Sequence, residues 1–421
     1  MKVLIQQAYI SDPGSPYNST TQDILINSGI IEKIDQKIDA DADQVISGDK
    51  IRVSPGWVDV FSNFADPGYE YKETIETGAA AAAAGGFTDV FVIPNTKPVT
   101  DNKSQVEYIR TKSSRHTANV HPIGAVSKNT EGKDLAEMYD MFASGAVAFS
   151  DGTNPIQSAG ILLKALQYVK AINAVIIQVP DDNTVGTHGL INEGIVSTRL
   201  GLPGKPMMAE ELQVARDIKL ARYTGSRLHI TGITSPKSVE YVRRAKDGGI
   251  DVTCSVTPYH LLFSDEDMET YDTNLKVFPP LRGRTERQLL REAVIDGTVD
   301  CISSHHMPHQ KDSKMVEFEY AKYGMTGLET AFLALHSAIP ELSEKRLVEL
   351  FSTNARKIFG MDQAFVDQGK KAAVTIYSYE GETHVNASFF RSKNINSPFL
   401  GHTFKGRIYG ILNGNALFLT N

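Results

Sequence analysis

Between residues 57 and 303 the chain repeats one pattern eight times, and that repeat restricts its possible folds more than any other feature. Short β-rich apolar runs at 57–61, 88–93, 119–125, 146–150, 174–179, 227–231, 251–256 and 299–303 are separated by helical stretches. The helical spacers fall at 74–84, 104–113, 135–142, 159–172, 209–223, 238–246 and 286–295, and a last helical pair is expected at 327–338 and 345–359. Sequential parallel strands need crossover connections of about a dozen residues, usually a helix. Eight such units are what a closed (β/α)8 barrel requires. The competing arrangement is an open doubly wound sheet. It would carry a G-x-G-x-x-G turn opening a helix after the first strand, whereas Gly85-Gly86 here precedes a strand. In a barrel the chemistry belongs where strands end, so those positions decide function.

Both ends of the chain have a different texture. Residues 1–54 hold short alternating runs around Asn27-Ser28-Gly29, a hairpin signal, and a similar pattern returns at 373–377 and 404–412. The expected organisation is therefore a β-sandwich built from 1–54 plus 361–421, and a barrel over 55–360. With 41% apolar and 22% charged residues the chain can bury a large core. Its net charge of −7 offers no basic field for nucleic acid or anionic lipid. No apolar stretch of about 18 residues is present and the N-terminus does not read as a leader, so a cytoplasmic location is expected. Cys254 and Cys301 sit in short β-like apolar runs and read as buried structural thiols.

Around the first expected strand the chain reads PGWVDVFSNFADPGYEYKETIETGAAAAAAGGFTDVFVIPNTKPVTDN. This segment is similar to the dihydroorotase pattern PGxxDxHxHxREPGxExKExIxTGxxAAxAGGFTxVxxMPNTxPxxDN. Pro55, Gly56, Asp59, Pro67, Gly68, Glu73, Thr77, Gly78, Gly85, Gly86, Phe87, Thr88, Pro94, Asn95, Thr96, Pro98, Asp101 and Asn102 all match. Further landmarks follow in family order: GLPGKPMMAEE at 201–211, VTPYHL at 256–261, NLKVFPPLR at 274–282, MTGLETA at 325–331 and SPFLGHTFKG at 397–406. The chain thus resembles a dihydroorotase of the amidohydrolase superfamily along essentially its whole length.

That resemblance implies a barrel holding one or two zinc ions, whose hydroxide attacks a cyclic amide while a carboxylate moves the proton. The family's metal-binding positions, carried onto this chain, hold the wrong residue types. His-x-His after the first strand becomes Phe61 and Asn63. The histidine after the fifth strand aligns with Gln178, the ligand after the sixth with Gly232, and the proton-shuttling aspartate after the eighth with His305. Asp151 stands where the family places a carboxylate or carboxylated lysine. The arginine that grips the substrate carboxylate becomes Ala65 and a substrate asparagine becomes Phe278, while Asn95 and His309 remain as a remnant of the substrate site.

No catalytic residue and no cofactor are therefore expected. Several residues keep two readings. His305, His306 and His309 form a dense cluster that suits either a transition metal or a repacked barrel mouth. His229 and His260 read as hydrogen-bonded core or rim groups. Asn95 either shapes the Pro-Asn-Thr turn or touches ligand. Ser303 and Ser304 lie beside His305, but neighbours on a strand face opposite ways, which weakens a nucleophile reading. The expected protein is a catalytically inactive dihydroorotase homologue of pyrimidine biosynthesis, kept as a structural or regulatory partner. Its alternatives are a cyclic amidohydrolase with an atypical site and a small-acid binding protein using the remnant pocket. The resemblance implies aspartate transcarbamoylase or a dihydroorotase as partner, and a homo-oligomer is expected.

Overall fold

The computed structural model describes residues 1–420. Eight parallel strands run in sequence order around the barrel: β1 (Trp57–Ser62), β2 (Phe87–Val92), β3 (Asn119–Gly124), β4 (Ala148–Phe149), β5 (Val175–Gln178), β6 (Arg227–Thr231), β7 (Val252–Val256) and β8 (Cys301–Ile302). A parallel bridge from Ser62 to His306, with the Asn63 amide donating to the His306 carbonyl at 2.8 Å, joins the last strand end to the first. This is the expected α/β barrel. Strands β1 and β2 are buried along their full lengths, as parallel strands covered on both faces must be.

The barrel interior is filled by Val58, Val60, Phe91, Ile123, Ala148, Val175, Ile177 and Cys301. Its floor is closed by Ala355, Ile358 and Phe359. On β5 this places residues 175, 177 and 179 inward, and Ile176 packs with the helix layer. The helix α1 (Ile75–Ala84) starts at Thr74, whose hydroxyl accepts from the Thr77 amide, and its alanines let it lie close against the sheet. Cys254 and Cys301 are free and buried, and burial pushes the Cys254 thiol up to about 12.

Both termini join in one eight-stranded sheet enclosing its own apolar core. Strand Lys2–Ile10 pairs with Thr21–Asn27, which turns at Ser28-Gly29 into Ile30–Asp35. Strand Arg52–Pro55 pairs with Ala373–His384, which continues the sheet to Thr403–Asn413. Trp57 lies at the seam between sheet and barrel, stacked on Phe351 at 4.7 Å and tilted against Tyr377 at 5.3 Å. From residue 385 to 402 the chain leaves the sheet and packs on the barrel. There the Asn396 side chain accepts from the His309 amide, and Phe399 stacks on Phe263.

Three helical expectations shift. The helix expected at 135–142 begins at Met138 because the Ala136 amide donates to the Val126 carbonyl in an extended pairing. The one expected from 327 begins at Ala331, since the Gly327 amide is turned to His306 Nδ1. The final helix is interrupted by a π turn at Glu349–Thr353.

Candidate functional site

The C-terminal ends of the strands surround a cavity of about 810 Å³. Phe61, Asn63, Val179, His305, His309 and Phe278 are among its walls, together with Asn95 from the β2 exit. This is where barrel chemistry is expected, and Phe61, Asn63, Asn95, Phe278, His305 and His309, all singled out from sequence, meet here.

Phe61 and His305 pack ring against ring at 4.6 Å. His305 has a positive φ of 43°, which turns its ring from the β8 exit across the mouth. Its Nε2 is 2.8 Å from Thr231 Oγ1. The Ser255 hydroxyl donates to the same Thr231 oxygen at 2.8 Å and lies 3.0 Å from His229 Nε2, while His229 Nδ1 lies 2.9 Å from Thr253 Oγ1. Burial, followed by the neighbouring imidazoles, lowers His305 to about 3, so it is neutral at physiological pH. His229 and His260 are likewise buried and hydrogen-bonded, the latter between Thr257 Oγ1 and the Pro279 carbonyl, in agreement with their reading as core groups.

Gln178 does not reach the cavity. Its side chain leaves the barrel and its Nε2 donates to Asp217 Oδ2, at 3.3 Å, on the helix Met208–Thr224. The next residue, Val179, lines the cavity instead. The reason is the two-residue period of a strand, in which a one-position slip exchanges faces. On this strand it is residue 179, and not 178, that reaches the cavity.

Asp151 is buried and its oxygens serve the loop leaving β3. Oδ1 accepts from the Val126 and Ser127 amides at 3.0 and 2.9 Å, and Oδ2 accepts from the Ser127 hydroxyl. Burial outweighs these bonds and raises its carboxyl to about 6. Asn95 lies across Gly152, where a Cβ would stand 1.7 Å from Asn95 Oδ1. Its Nδ2 donates to the Asp151 carbonyl at 3.1 Å and its Oδ1 accepts from the Thr153 amide at 3.0 Å, which ties the β2 exit to the loop 151–153. Asn63 Oδ1 accepts from the Ala65 amide at 2.9 Å.

The histidine cluster does not converge. His305 turns to Thr231, His306 Nε2 lies 3.4 Å from Glu73 Oε2, and His309 Nε2 donates to the Tyr323 carbonyl at 2.9 Å. Among the described residues no group of three or more His, Cys, Asp or Glu side chains is placed to hold a metal ion. Ser304 is likewise engaged away from His305. Its amide donates to Asp59 Oδ1, and its hydroxyl lies 3.3 Å from Ser62 Oγ.

Sequence reasoning missed the basic side of the cavity. Lys72 and Lys322 line it, as do Tyr323 and the buried ion pair of Lys205 with Asp181 at 2.9 Å. Lys322 and Tyr323 come from the long loop 310–324 between β8 and the following helix. A connection of that length lacking strong periodicity is a signal for a functional loop.

The barrel with its terminal sheet has the same fold as several solved structures. The chain superposes on L-hydantoinase (dihydropyrimidinase) from Arthrobacter aurescens with a TM-score of 0.85 at 24% identity, covering 99% of this chain and 95% of that one. Against a D-hydantoinase (dihydropyrimidinase) from Thermus sp. the TM-score is 0.83 at 19% identity, again over 99% and 95%. A family profile described as Dihydro-orotase-like matches residues 50–238. A dihydroorotase of Caldanaerobacter subterraneus subsp. tengcongensis is 40% identical over 426 residues, spanning 100% of this chain and 98% of its own. One of Acetivibrio thermocellus is 39% identical, spanning 99% and 98%. The chain belongs to the dihydroorotase family.

Proposed function

We propose that this dihydroorotase-family protein does not carry out metal-dependent hydrolysis or closure of a cyclic amide, and that its barrel mouth binds a small acid without turning it over. The observation that carries this reading is the packing of Phe61 on His305 beside Gly232. A Cβ on residue 232 would stand 2.7 Å from His305 Cε1, so His305 occupies the space an imidazole ligand at 232 would need. The donor set does not fit a zinc ion. Phenylalanine, valine and glycine offer no lone pair, His305 is engaged with Thr231, and the Asp151 oxygens are taken by Val126 and Ser127. A water would thus lack the cation that lowers its pKa, and no carboxylate replaces the proton-moving group at 305.

The test is turnover of dihydroorotate and carbamoyl aspartate by the purified full chain with zinc supplied. None is expected, and turnover that tracks with the chain and vanishes in His305→Ala would refute the reading. A second reading, a dihydroorotase with an atypical site, is favoured by the 40% identity to proteins named dihydroorotase over 94–98% of their length. The same assay decides between the two. A partnership with aspartate transcarbamoylase or another dihydroorotase, and self-association, remain part of the proposal. Co-purification from the native cell followed by size exclusion tests both.

A further inference from the structure

A run of hydrogen bonds crosses the inside of the barrel and ends at the cavity. His229 Nδ1 lies 2.9 Å from Thr253 Oγ1, and His229 Nε2 lies 3.0 Å from Ser255 Oγ. The Ser255 hydroxyl donates to Thr231 Oγ1 at 2.8 Å, and Thr231 Oγ1 lies 2.8 Å from His305 Nε2. His229, Thr231 and Ser255 are fully buried, so their side-chain polar atoms must find partners within the run.

One direction in this run fixes the others. A serine hydroxyl has a single proton, and Ser255 gives its own to Thr231, so towards His229 it accepts. His229 therefore carries its proton on Nε2, and its Nδ1 takes the proton of Thr253. Thr231, having accepted from Ser255, has its own proton left for His305 Nε2, the other partner of its hydroxyl. A neutral imidazole has one N–H, and with Nε2 accepting, that proton sits on Nδ1. The His305 ring is neutral because it packs on the Phe61 face at 4.6 Å with no carboxylate among the groups around it, and burial lowers it to about 3.

Among the described residues His305 Nδ1 forms no hydrogen bond, yet it is not among the buried polar atoms left without a partner. His305 lines the cavity, so this N–H opens to it. Asn63 offers a second donor from the neighbouring strand exit. Its Oδ1 accepts from the Ala65 amide, which fixes the orientation of the side-chain amide, and its Nδ2 is uncommitted among the described residues. The Asn63 amide bond to the His306 carbonyl at 2.8 Å holds the two exits side by side, and both residues line the cavity.

We propose that Thr231 holds His305 as its Nδ1–H tautomer, and that this N–H, with Asn63 Nδ2, donates to a carbonyl or carboxylate oxygen of the bound molecule. Thr231 is the positioning residue and His305 sets specificity. A carboxylate at position 305 would accept a hydrogen bond here, whereas this imidazole receives an acceptor and leaves a donor unpaired.

The inference rests on the mouth being a binding site, and its readout is independent of hydrolysis. In the full chain carrying isotope-labelled histidine, a long-range proton–nitrogen NMR spectrum reports the tautomer of His305, assigned with His305→Gln. The parent and Thr231→Ser should show Nδ1–H. Thr231→Val should shift towards Nε2–H, because Nε2 no longer receives a proton. Should Thr231→Val not fold, Ser255→Ala frees the Thr231 hydroxyl to turn and should mix the tautomers likewise. Formate and N,N-dimethylformamide, a carboxylate and a carbonyl without an N–H, serve as probes against methylammonium, a donor without an acceptor. Either oxygen probe should move the His305 Nδ1 resonance saturably, the tighter of the two identifying the oxygen's source, and Thr231→Val should weaken that binding about tenfold. An Nε2–H parent, a tautomer unmoved by the substitutions, or a response to methylammonium alone or to no probe would each overturn the proposal. If cyclic-amide turnover appears while His305 keeps Nδ1–H and answers an oxygen probe, the non-hydrolytic reading falls and this one stands. If no turnover appears and the parent is Nε2–H, only this one falls.

Discussion

Gly232 and His305 occupy one space between them: a Cβ on residue 232 would lie 2.7 Å from His305 Cε1, and Gly232 itself has a φ of +72°. A side chain at 232 is therefore opposed twice, by the backbone and by the ring. Gly232→His alone should be destabilising, and His305→Asp in the same chain should recover part of the loss because it empties the shared space. The expected coupling in a double-mutant cycle is about 1–3 kcal/mol, read from urea unfolding. Additive effects of the two substitutions would contradict the shared-space account.

The same geometry makes a metal prediction. Protein purified without chelator should hold no stoichiometric zinc, and elemental analysis checks this. The variant Phe61→His, Asn63→His, Val179→His, Gly232→His, His305→Asp should gain zinc if these are the positions that matter. A parallel variant with Gln178→His in place of Val179→His should not gain the same affinity, because residue 178 faces Asp217 in the helix layer. Stoichiometric zinc in the parent chain near Asp151 or His305 would sink the idea.

Glu329 predicts a pH dependence of the opposite sign to that of an ion-paired carboxylate. Burial, with Glu73 adding to it, raises its carboxyl to about 8, against the bond its Oε1 accepts from the Arg391 amide, and Oε2 has no partner. The folded state holds the proton up to about pH 8, whereas the unfolded chain releases it near the ordinary glutamate value of 4.5. The stability associated with this proton is complete below that value and is lost as pH rises towards 8. Glu329→Gln stays neutral throughout, so its stability relative to the parent should grow across that window and level off above it. A difference that is flat with pH, measured by unfolding in parallel buffers, would refute this.

The loop 310–324 should depend on the buried lysines beneath it. Lys276→Met leaves the Phe318 and Glu319 carbonyls without their donor. Loss of such bonds costs about 1–3 kcal/mol, borne here by the loop and not by the barrel. Hydrogen exchange should quicken in 310–324 while strands β1 to β8 keep their protection. Uniform quickening would mean that Lys276 supports the whole fold.

Much of this architecture was legible in the residue pattern because the signals involved are short-range. A strand buried on both faces reads as a continuous apolar run, as in Val90–Val92, and a helix start such as Thr74 with Thr77 is written in adjacent residues. Residues Phe61, Asn63 and His305 could be singled out from motif order alone, and the structure places all three on the cavity wall. Gln178 could not be placed in the same way. Its segment IIQVPDD is apolar on both sides of the glutamine, so hydrophobic alternation does not give the two-residue phase, and the contact with Asp217 shows which face it occupies. The helix expected from residue 135 failed for a related reason, because a distant partner, Val126, offered its carbonyl to Ala136.

The sequence by itself determined that the chain alternates strands and helices eight times, that its ends are strands, and that Phe61, Asn63, Gly232 and His305 stand at or just beyond the ends of those strands in that order. Local periodicity and residue chemistry suffice for those statements. Only the tertiary structure decided that His305 fills the space beside Gly232, that Asn95 is a latch across Gly152, and that Lys72 and Lys322 face one cavity. Each of these joins residues far apart in the chain, and their positions depend on how the barrel closes and where its loops lie. Proximity of that kind leaves no trace in spacing along the chain.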